Sequence, residues 1–398
     1  MNHKHVKISK QKGLTLVELL IAAVLGLLIV GIVGSMYVTS VGGFRSSREL
    51  SRVQENTRFA FHFLQQSFRQ AGYSQCGNSL TQDYSLLTDN NNSSFNGGVI
   101  GWEFNGTDVG ETYDLSANLG VGVATDWGSQ AGAPTLAEFI AEVANAPLKG
   151  SDIIAVTLEQ ERNDINVIGT TSDTIDVTVD GAAVGTGIPE RAILKIGTCF
   201  ERNVFSKTNA SDTDGLEAAS GGGNIDLNVR PNTLGLPFST VWDEDTKVFA
   251  DVMTIYYIGE GESGLPALYR MESECGFQIA ACEAIGIETV ELVEGVENMQ
   301  ILYGVDSDDD GVVNQYFSAD DATTFDFNNV VSLRFSLLMR SDENSEDIDT
   351  DTYTLADKVN IDPSDERILR YVTSSTIELR NRAEELDLEI EIVQNNDE

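Results

Sequence analysis

From Leu14 to Val38 the chain carries no charge except one carboxylate, Glu18. A helix of about 25 residues, at about 1.5 Å each, is about 37 Å long and crosses about 30 Å of hydrocarbon with some tilt. The segment can span a membrane. Residues 1–13, MNHKHVKISKQKG, contain Lys4, Lys7, Lys10 and Lys12 and no acid, which holds the amino end on the cytoplasmic side. An ordinary cleaved signal has a shorter apolar core of about 7–15 residues. Glu18 fits neither that pattern nor a simple anchor, because an ionised carboxylate inside a membrane helix costs about 2.5–3.5 kcal/mol even on the lenient insertion scale. It needs a counter-charge. A cut between Gly13 and Leu14 supplies one, since the new amine of one chain can meet Glu18 of a staggered neighbour and cancel two charges that are each costly alone. Such a pair is a device for self-assembly.

The residues around it carry a resemblance. KGLTLVELLIAAVLGLLIVGIV, with a basic leader ending in Gly13, resembles the type IV pilin-like signal, in which an apolar helix has Glu at its fifth mature position. The resemblance implies that a membrane prepilin peptidase removes residues 1–13 and methylates the amine of Leu14, and that Glu18 is the assembly glutamate. Phe is usual where this chain has Leu14. Gly26, Gly31 and Gly34 offer close helix packing or are ordinary membrane-helix glycines; no neat GxxxG distinguishes the two.

Beyond the membrane, Val41, Phe44, Val53, Thr57, Ala60, Leu64, Phe68 and Ala71 recur at helical spacing among Arg45, Arg48, Arg52, Arg58 and Arg69, which reads as an amphipathic continuation. Phe59, Phe61 and Phe63 read as core. The stretch from Leu50 to Gly77 resembles the PilW minor pilins through Gln54, Glu55, Asn56, Arg58, Phe59 and Ala60, then Arg69, Ala71, Gly72, Tyr73 and Cys76. A second block, VEGVENMQILYGVDSDDDGVVNQY, NNVVSLRFSLLMRS and RILRYVTSSTIELRNR, resembles the carboxy-terminal region of the same family in the same order. Val331, Leu333, Phe335, Leu337 and Met339 alternate with Ser332, Arg334, Ser336, Leu338 and Arg340, the pattern of a half-buried strand.

Between these blocks the chain is less informative. Asn78 to Gly150 is rich in Asn, Gly, Ser, Thr and Asp and reads as long loops, apart from a short helix between Pro134 and Pro147. DIIAVTLEQ, TIDVTVDG, RAILKIGTCF and VMTIYYIGE read as strands. The expected fold is α+β, a long amino-terminal transmembrane and amphipathic helix packed on a mainly antiparallel β head. Its expected segments are a leader (1–13), a transmembrane helix (14–38), a periplasmic amphipathic helix (39–74), a variable β-rich head (75–292), a PilW-like β region (293–382) and an acidic tail (383–398).

The chain has 25 Lys and Arg against 63 Asp and Glu, a formal charge of −38, which repels phosphate backbones and argues against nucleic-acid binding. Cys76, Cys199, Cys275 and Cys282 all follow the apolar segment. Outside the cytoplasm two disulfides are expected; Cys275 with Cys282 would close a short loop and Cys76 with Cys199 a long one, with the other connectivities and four free thiols left open.

DSDDDGVVN places Asp306, Asp308, Asp310 and Asn314 at positions one, three, five and nine of an EF-hand-type loop, with Gly311 at the turn and the Val312 carbonyl as a further ligand. Phe317 stands where the bidentate Glu belongs, so this is not a true EF-hand. A looser Ca2+ loop completed by Asp309, Asp320 or Asp321 competes with a plain acidic turn. His3, His5 and His62 are the only histidines, which leaves the head without His-dependent triads or His-ligated zinc. No enzyme activity is expected and no cofactor is required.

The resemblance implies a minor pilin in the initiation or tip complex of a type IV pilus, supporting twitching motility, adhesion or DNA uptake. Prepilin peptidase, other minor and major pilins and the inner membrane would be its partners, with the head periplasmic and then at the pilus or cell surface. The rival readings are a type II secretion pseudopilin and a calcium-dependent tip adhesin.

Overall fold

The computed structural model describes residues 15–75, 82–85, 87, 98–115, 120–170, 174–181, 184–199, 201–218, 246–342, 348–363 and 367–381. The acidic tail lies outside them. The chain divides into two units, Met1–Arg52 and Val53–Glu398. One helix, Leu16–Gln70, begins in the first and ends in the second.

In the first unit the helix is apolar and bare. Leu16, Leu27 and Val30 are 76%, 73% and 69% exposed, and their neighbours to Val38 are similar. Burying a side chain of this size is worth about 1.5–3 kcal/mol, so the segment is stable only in lipid or among other apolar helices.

In the second unit the same helix becomes one-sided. Val53, Thr57, Ala60, Leu64 and Phe68 recur every three or four residues and are all buried. Phe68 stands edge-on to Phe335 at 5.3 Å and to Tyr256 at 6.0 Å, and Phe61 lies 5.0 Å from Phe335. Phe63 also packs against the core, whereas Phe59 is 42% exposed. The helix ends where Gly72 turns left-handed, with φ +69°. Its N–H donates to the Thr157 carbonyl at 2.8 Å, and Tyr73 then bridges Leu158 in parallel register. A side chain at Gly98 would strike the Gly72 backbone, so this junction requires glycine there.

The head is built of mostly antiparallel sheets. The largest has nine strands, and its spine is Lys247–Glu260. That strand is long enough to pair in turn with Ile193–Gly197, Ile153–Glu161 and Pro266–Ser273. A four-stranded sheet has the order Gln315–Phe317, Val296–Val305, Val330–Arg340 and Arg370–Glu378. A three-stranded sheet, including Ile165–Thr170 and Thr174–Val179, shares a second apolar core, around Ile175, Leu194 and Phe205, with strands of the nine-stranded sheet. Another pairs the hairpin Tyr353–Leu355 and Val359–Asp362 with Thr112–Asp114.

Two expectations change. Val330–Arg340 is buried on both faces rather than one. It is a central strand, flanked by Val296–Val305 and Arg370–Glu378, and its serine face is covered as well. Ser336 Oγ accepts the Ala356 N–H from the hairpin at 2.7 Å, and Ser332 donates to the Ile377 carbonyl at 3.0 Å, so the small hydroxyls are satisfied in the interior. The segment read as loops contains a core strand, Val99–Phe104, with all six residues buried. The short helix appears at Ala137–Glu142.

Candidate functional site

Glu18 acts first on its own helix. The Thr15 carbonyl accepts from the Leu19 N–H at 3.2 Å, which makes Thr15 the residue that starts the helix. Glu18 Oε2 accepts the Thr15 N–H at 3.0 Å, and Thr15 Oγ1 in turn accepts the Glu18 N–H at 3.3 Å. This reciprocal arrangement is a capping box. Two backbone N–H groups that would face hydrocarbon without partners are satisfied by side chains. Thr-Leu-Val-Glu, residues 15–18, carries the T-x-x-E signal for it, legible in the sequence beside the unpaired charge. The box uses one carboxylate oxygen, Oε2; no hydrogen bond to Oε1 is formed within the described residues. Gly13 and Leu14, on either side of the expected cut, lie outside the described residues. Gly26, Gly31 and Gly34 have open space where a Cβ would stand, so no packing within this chain requires them.

The acidic loop does converge. One oxygen each from Asp306, Asp308 and Asp310 falls within 4.8 Å of the others, with Gly311 at φ +80° allowing the turn. Asp306 is the buried anchor. Burial pushes its carboxyl upward, but backbone N–H groups outweigh this and hold it below the usual range. Gly311 is the nearest donor at 2.7 Å, followed by Asp308 at 3.2 Å and Asp310 at 3.4 Å. Asn314 turns its side-chain oxygen to the Ser307 N–H at 2.6 Å and its amide to Asp308 at 3.1 Å, so it closes the loop rather than joining the carboxylates. Val312 is exposed, and its N–H donates to Asp310 at 2.8 Å. Phe317 stacks on Phe325 at 5.5 Å and supplies no ligand. Asp320 belongs to a different environment: burial, with the charge of Asp108, raises its carboxyl to about 6. Three carboxylates in this geometry fit a hard cation with several positions left for water.

Cys275 and Cys282 form a disulfide with their Cα atoms 5.9 Å apart. Cys199 is also disulfide-bonded, and Cys76 lies outside the described residues. A second cross-brace is ionic. Arg370 donates to Glu297 at 2.7 Å and to Asp349 at 3.0 Å, and Arg340 reaches Glu297 at 3.3 Å. The two carboxylates hold the Arg370 guanidinium charged against burial, which opposes it.

Comparison with known families places both ends of the chain. Residues 8–34 match the prokaryotic N-terminal methylation motif, and residues 255–381 match the family described as type IV pilus-assembly protein W. No curated protein and no solved structure matches. The second match starts within the spine strand Lys247–Glu260 and extends through Arg370–Glu378, taking in the whole four-stranded sheet. The methylation motif implies processing by a prepilin peptidase and partners in a pilus system, and with the bare apolar helix it makes the chain membrane-anchored. A prepilin signal, a lipid-seeking helix and a carboxy-terminal sheet of this type on one polypeptide match the pattern of a PilW-like type IV pilin.

Proposed function

We infer that this pilin works in the complex that starts or caps a type IV pilus, and that its work is associative rather than chemical. The observation that carries the reading is the pairing of a prepilin-type helix, apolar on every side and capped by Glu18, with a head whose carboxy-terminal sheet matches the PilW family. The head is periplasmic before assembly and reaches the pilus or cell surface afterward. Cleavage after Gly13 frees the Leu14 amine, and the Glu18 carboxylate of an adjacent subunit accepts it, which registers the helices in the bundle. Motility, attachment and DNA uptake follow from the fibre. A secretion pseudopilin shares the scaffold, but the large tip member of that class typically lacks the assembly glutamate. A strain lacking this gene is expected to show few or no surface fibres by electron microscopy, restored by the wild-type chain. Normal fibres with lost attachment would replace assembly by adhesion.

The converging carboxylates of Asp306, Asp308 and Asp310 favour a subsidiary role for calcium in stiffening the head. Calcium at about 100 times its dissociation constant adds about 2.7 kcal/mol to the folded state. The melting temperature of the detergent-solubilised chain is expected to rise with calcium, and the combined Asp308→Ala and Asp310→Ala variant is expected to lose the rise. An equal response from both would remove the cation from this loop.

A further inference from the structure

Deep in the head, three charged side chains from distant parts of the chain meet. Lys358 lies on the turn between Tyr353–Leu355 and Val359–Asp362, Glu103 on the strand Val99–Phe104, and Asp152 just ahead of Ile153–Glu161. The Lys358 and Glu103 side chains are 0% exposed and that of Asp152 is 2% exposed. Lys358 Nζ is 2.6 and 2.7 Å from the two Glu103 oxygens and 2.9 Å from Asp152 Oδ2. One ammonium thus faces two carboxyl groups, an arrangement that leaves an uncompensated buried charge if all three ionise.

The surroundings exclude water. Trp127 donates to the Ser151 carbonyl at 2.8 Å, next to Asp152, and Phe104 stands edge-on to both Trp127 and Tyr113 at 5.4 Å. Tyr303 is buried close by. Burial, together with the charges of Asp152 and Glu103, raises its hydroxyl well above its ordinary value. Burial and the charge of Asp152 likewise push the Glu103 carboxyl well up, while both acids hold the proton on Lys358 against burial. In water an ammonium keeps its proton from a carboxylate by about six pK units. In a dry site that gap narrows, because the neutral amine and acid escape the desolvation cost of the ion pair.

Asp152 is held differently from Glu103. Its Oδ1 accepts the Phe104 N–H at 3.2 Å and its Oδ2 the Ile301 N–H at 2.8 Å, so both oxygens face fixed backbone donors. Such donors orient the carboxyl plane and stabilise negative charge that builds on oxygen when a nucleophile adds to the carbon. Glu103 instead presents both oxygens to the nitrogen, and its Oε1 also accepts the Thr107 hydroxyl at 2.7 Å.

We propose that Lys358 and Asp152 condense spontaneously into an intramolecular amide, with Glu103 as the proton relay. Glu103 takes a proton from Nζ, and the free amine adds to Cγ of Asp152 while the Phe104 N–H holds Oδ1, the oxygen that stays as the amide carbonyl. Glu103 then passes that proton, and after it a second one from the nitrogen, to Oδ2, which departs. The Nζ–Cγ bond forms and one Cγ–O bond of Asp152 breaks. Water leaves with that oxygen and two of the three ammonium protons; the third stays on the amide nitrogen, and Glu103 is unchanged. No oxidant, metal or external reactant enters. The contact is already made by the fold, and intramolecular reactions so placed reach effective molarities of about 10⁵–10⁸ M.

The test is tandem mass spectrometry on digests of the purified, reduced full-length chain. The expected product is one branched peptide in which the segments containing Asp152 and Lys358 are joined, lighter than their sum by one water. The Glu103→Gln variant, which keeps the side-chain shape but cannot relay the proton, is expected to give the two separate peptides. Wild-type chain with the two segments wholly unjoined overturns the proposal, and that measurement needs no variant to fold. A link from Lys358 to Glu103 overturns the assigned electrophile. Equal joining in Glu103→Gln overturns the relay.

Discussion

Glu18→Gln is expected to abolish incorporation into the pilus complex while leaving the chain processed and inserted in the membrane. The substitution separates the cap that the structure shows from the charge pair proposed for the same side chain. Gln keeps the oxygen that accepts the Thr15 N–H, since glutamine serves in a capping box as glutamate does, so the helix start survives. What it lacks is the charge that meets the amine of a neighbouring chain. Losing one member of a desolvated pair costs about 3–5 kcal/mol, a factor of about a hundred or more in association. Thr15→Ala does the converse. It removes the hydroxyl that caps the Glu18 N–H, a loss of about 0.5–2 kcal/mol in helix stability, and leaves the carboxylate in place. Co-purification with other pilins, scored against the wild type, is therefore expected to collapse for Glu18→Gln and for Glu18→Leu and to persist for Thr15→Ala. Normal fibres with Glu18→Gln would falsify the charge-pair account and leave Glu18 as a cap alone.

The second large effect is expected at Phe68. Its ring is fully buried and meets Phe335 and Tyr256 edge-on, so it fastens the outer half of the helix to both major sheets. Truncation to alanine removes the ring and leaves a cavity that rigid strands on both sides cannot close, a loss of about 3–5 kcal/mol. That is a large share of the roughly 5–15 kcal/mol by which a folded domain is stable. The melting midpoint of the detergent-solubilised chain should fall by about 10 °C. Phe59→Ala, on the exposed side of the same helix, should change stability by only about 0.5 kcal/mol. Equal losses from the two would mean that the helix is not seated by this face.

Features with a regular local period could be read from the sequence. The helix from Leu16 to Gln70 was legible because its apolar run and its later stripe obey helical spacing, and the strands around Ile153–Glu161 and Lys247–Glu260 because β-branched and aromatic residues are dense there. Val99–Phe104 was not, because it sits in a polar stretch and both its faces are buried, which erases alternation. Val330–Arg340 misled for a related reason. Its serines looked like a solvent face, but they are interior hydroxyls satisfied by the Ile377 carbonyl and the Ala356 N–H. The meeting of Glu103, Asp152 and Lys358 has no local signature at all. Lys358 is separated by 255 residues from Glu103 and by 206 from Asp152, and only sheet pairing and turn placement bring them into contact.

The exit of the helix into the sheet has a mechanical consequence. Gly72 and Tyr73 are tied to Thr157, Leu158 and Glu159 through bonds from Gly72 N–H to the Thr157 carbonyl and from Glu159 N–H to the Tyr73 carbonyl. These two bonds flank the Tyr73–Leu158 bridge, so the exit of the helix is stitched directly into a strand of the nine-stranded sheet. Load passed to the head along the helix would therefore be borne first by its packed face from Val53 to Phe68 and last by this seam, which keeps the helix from being drawn out of its seat.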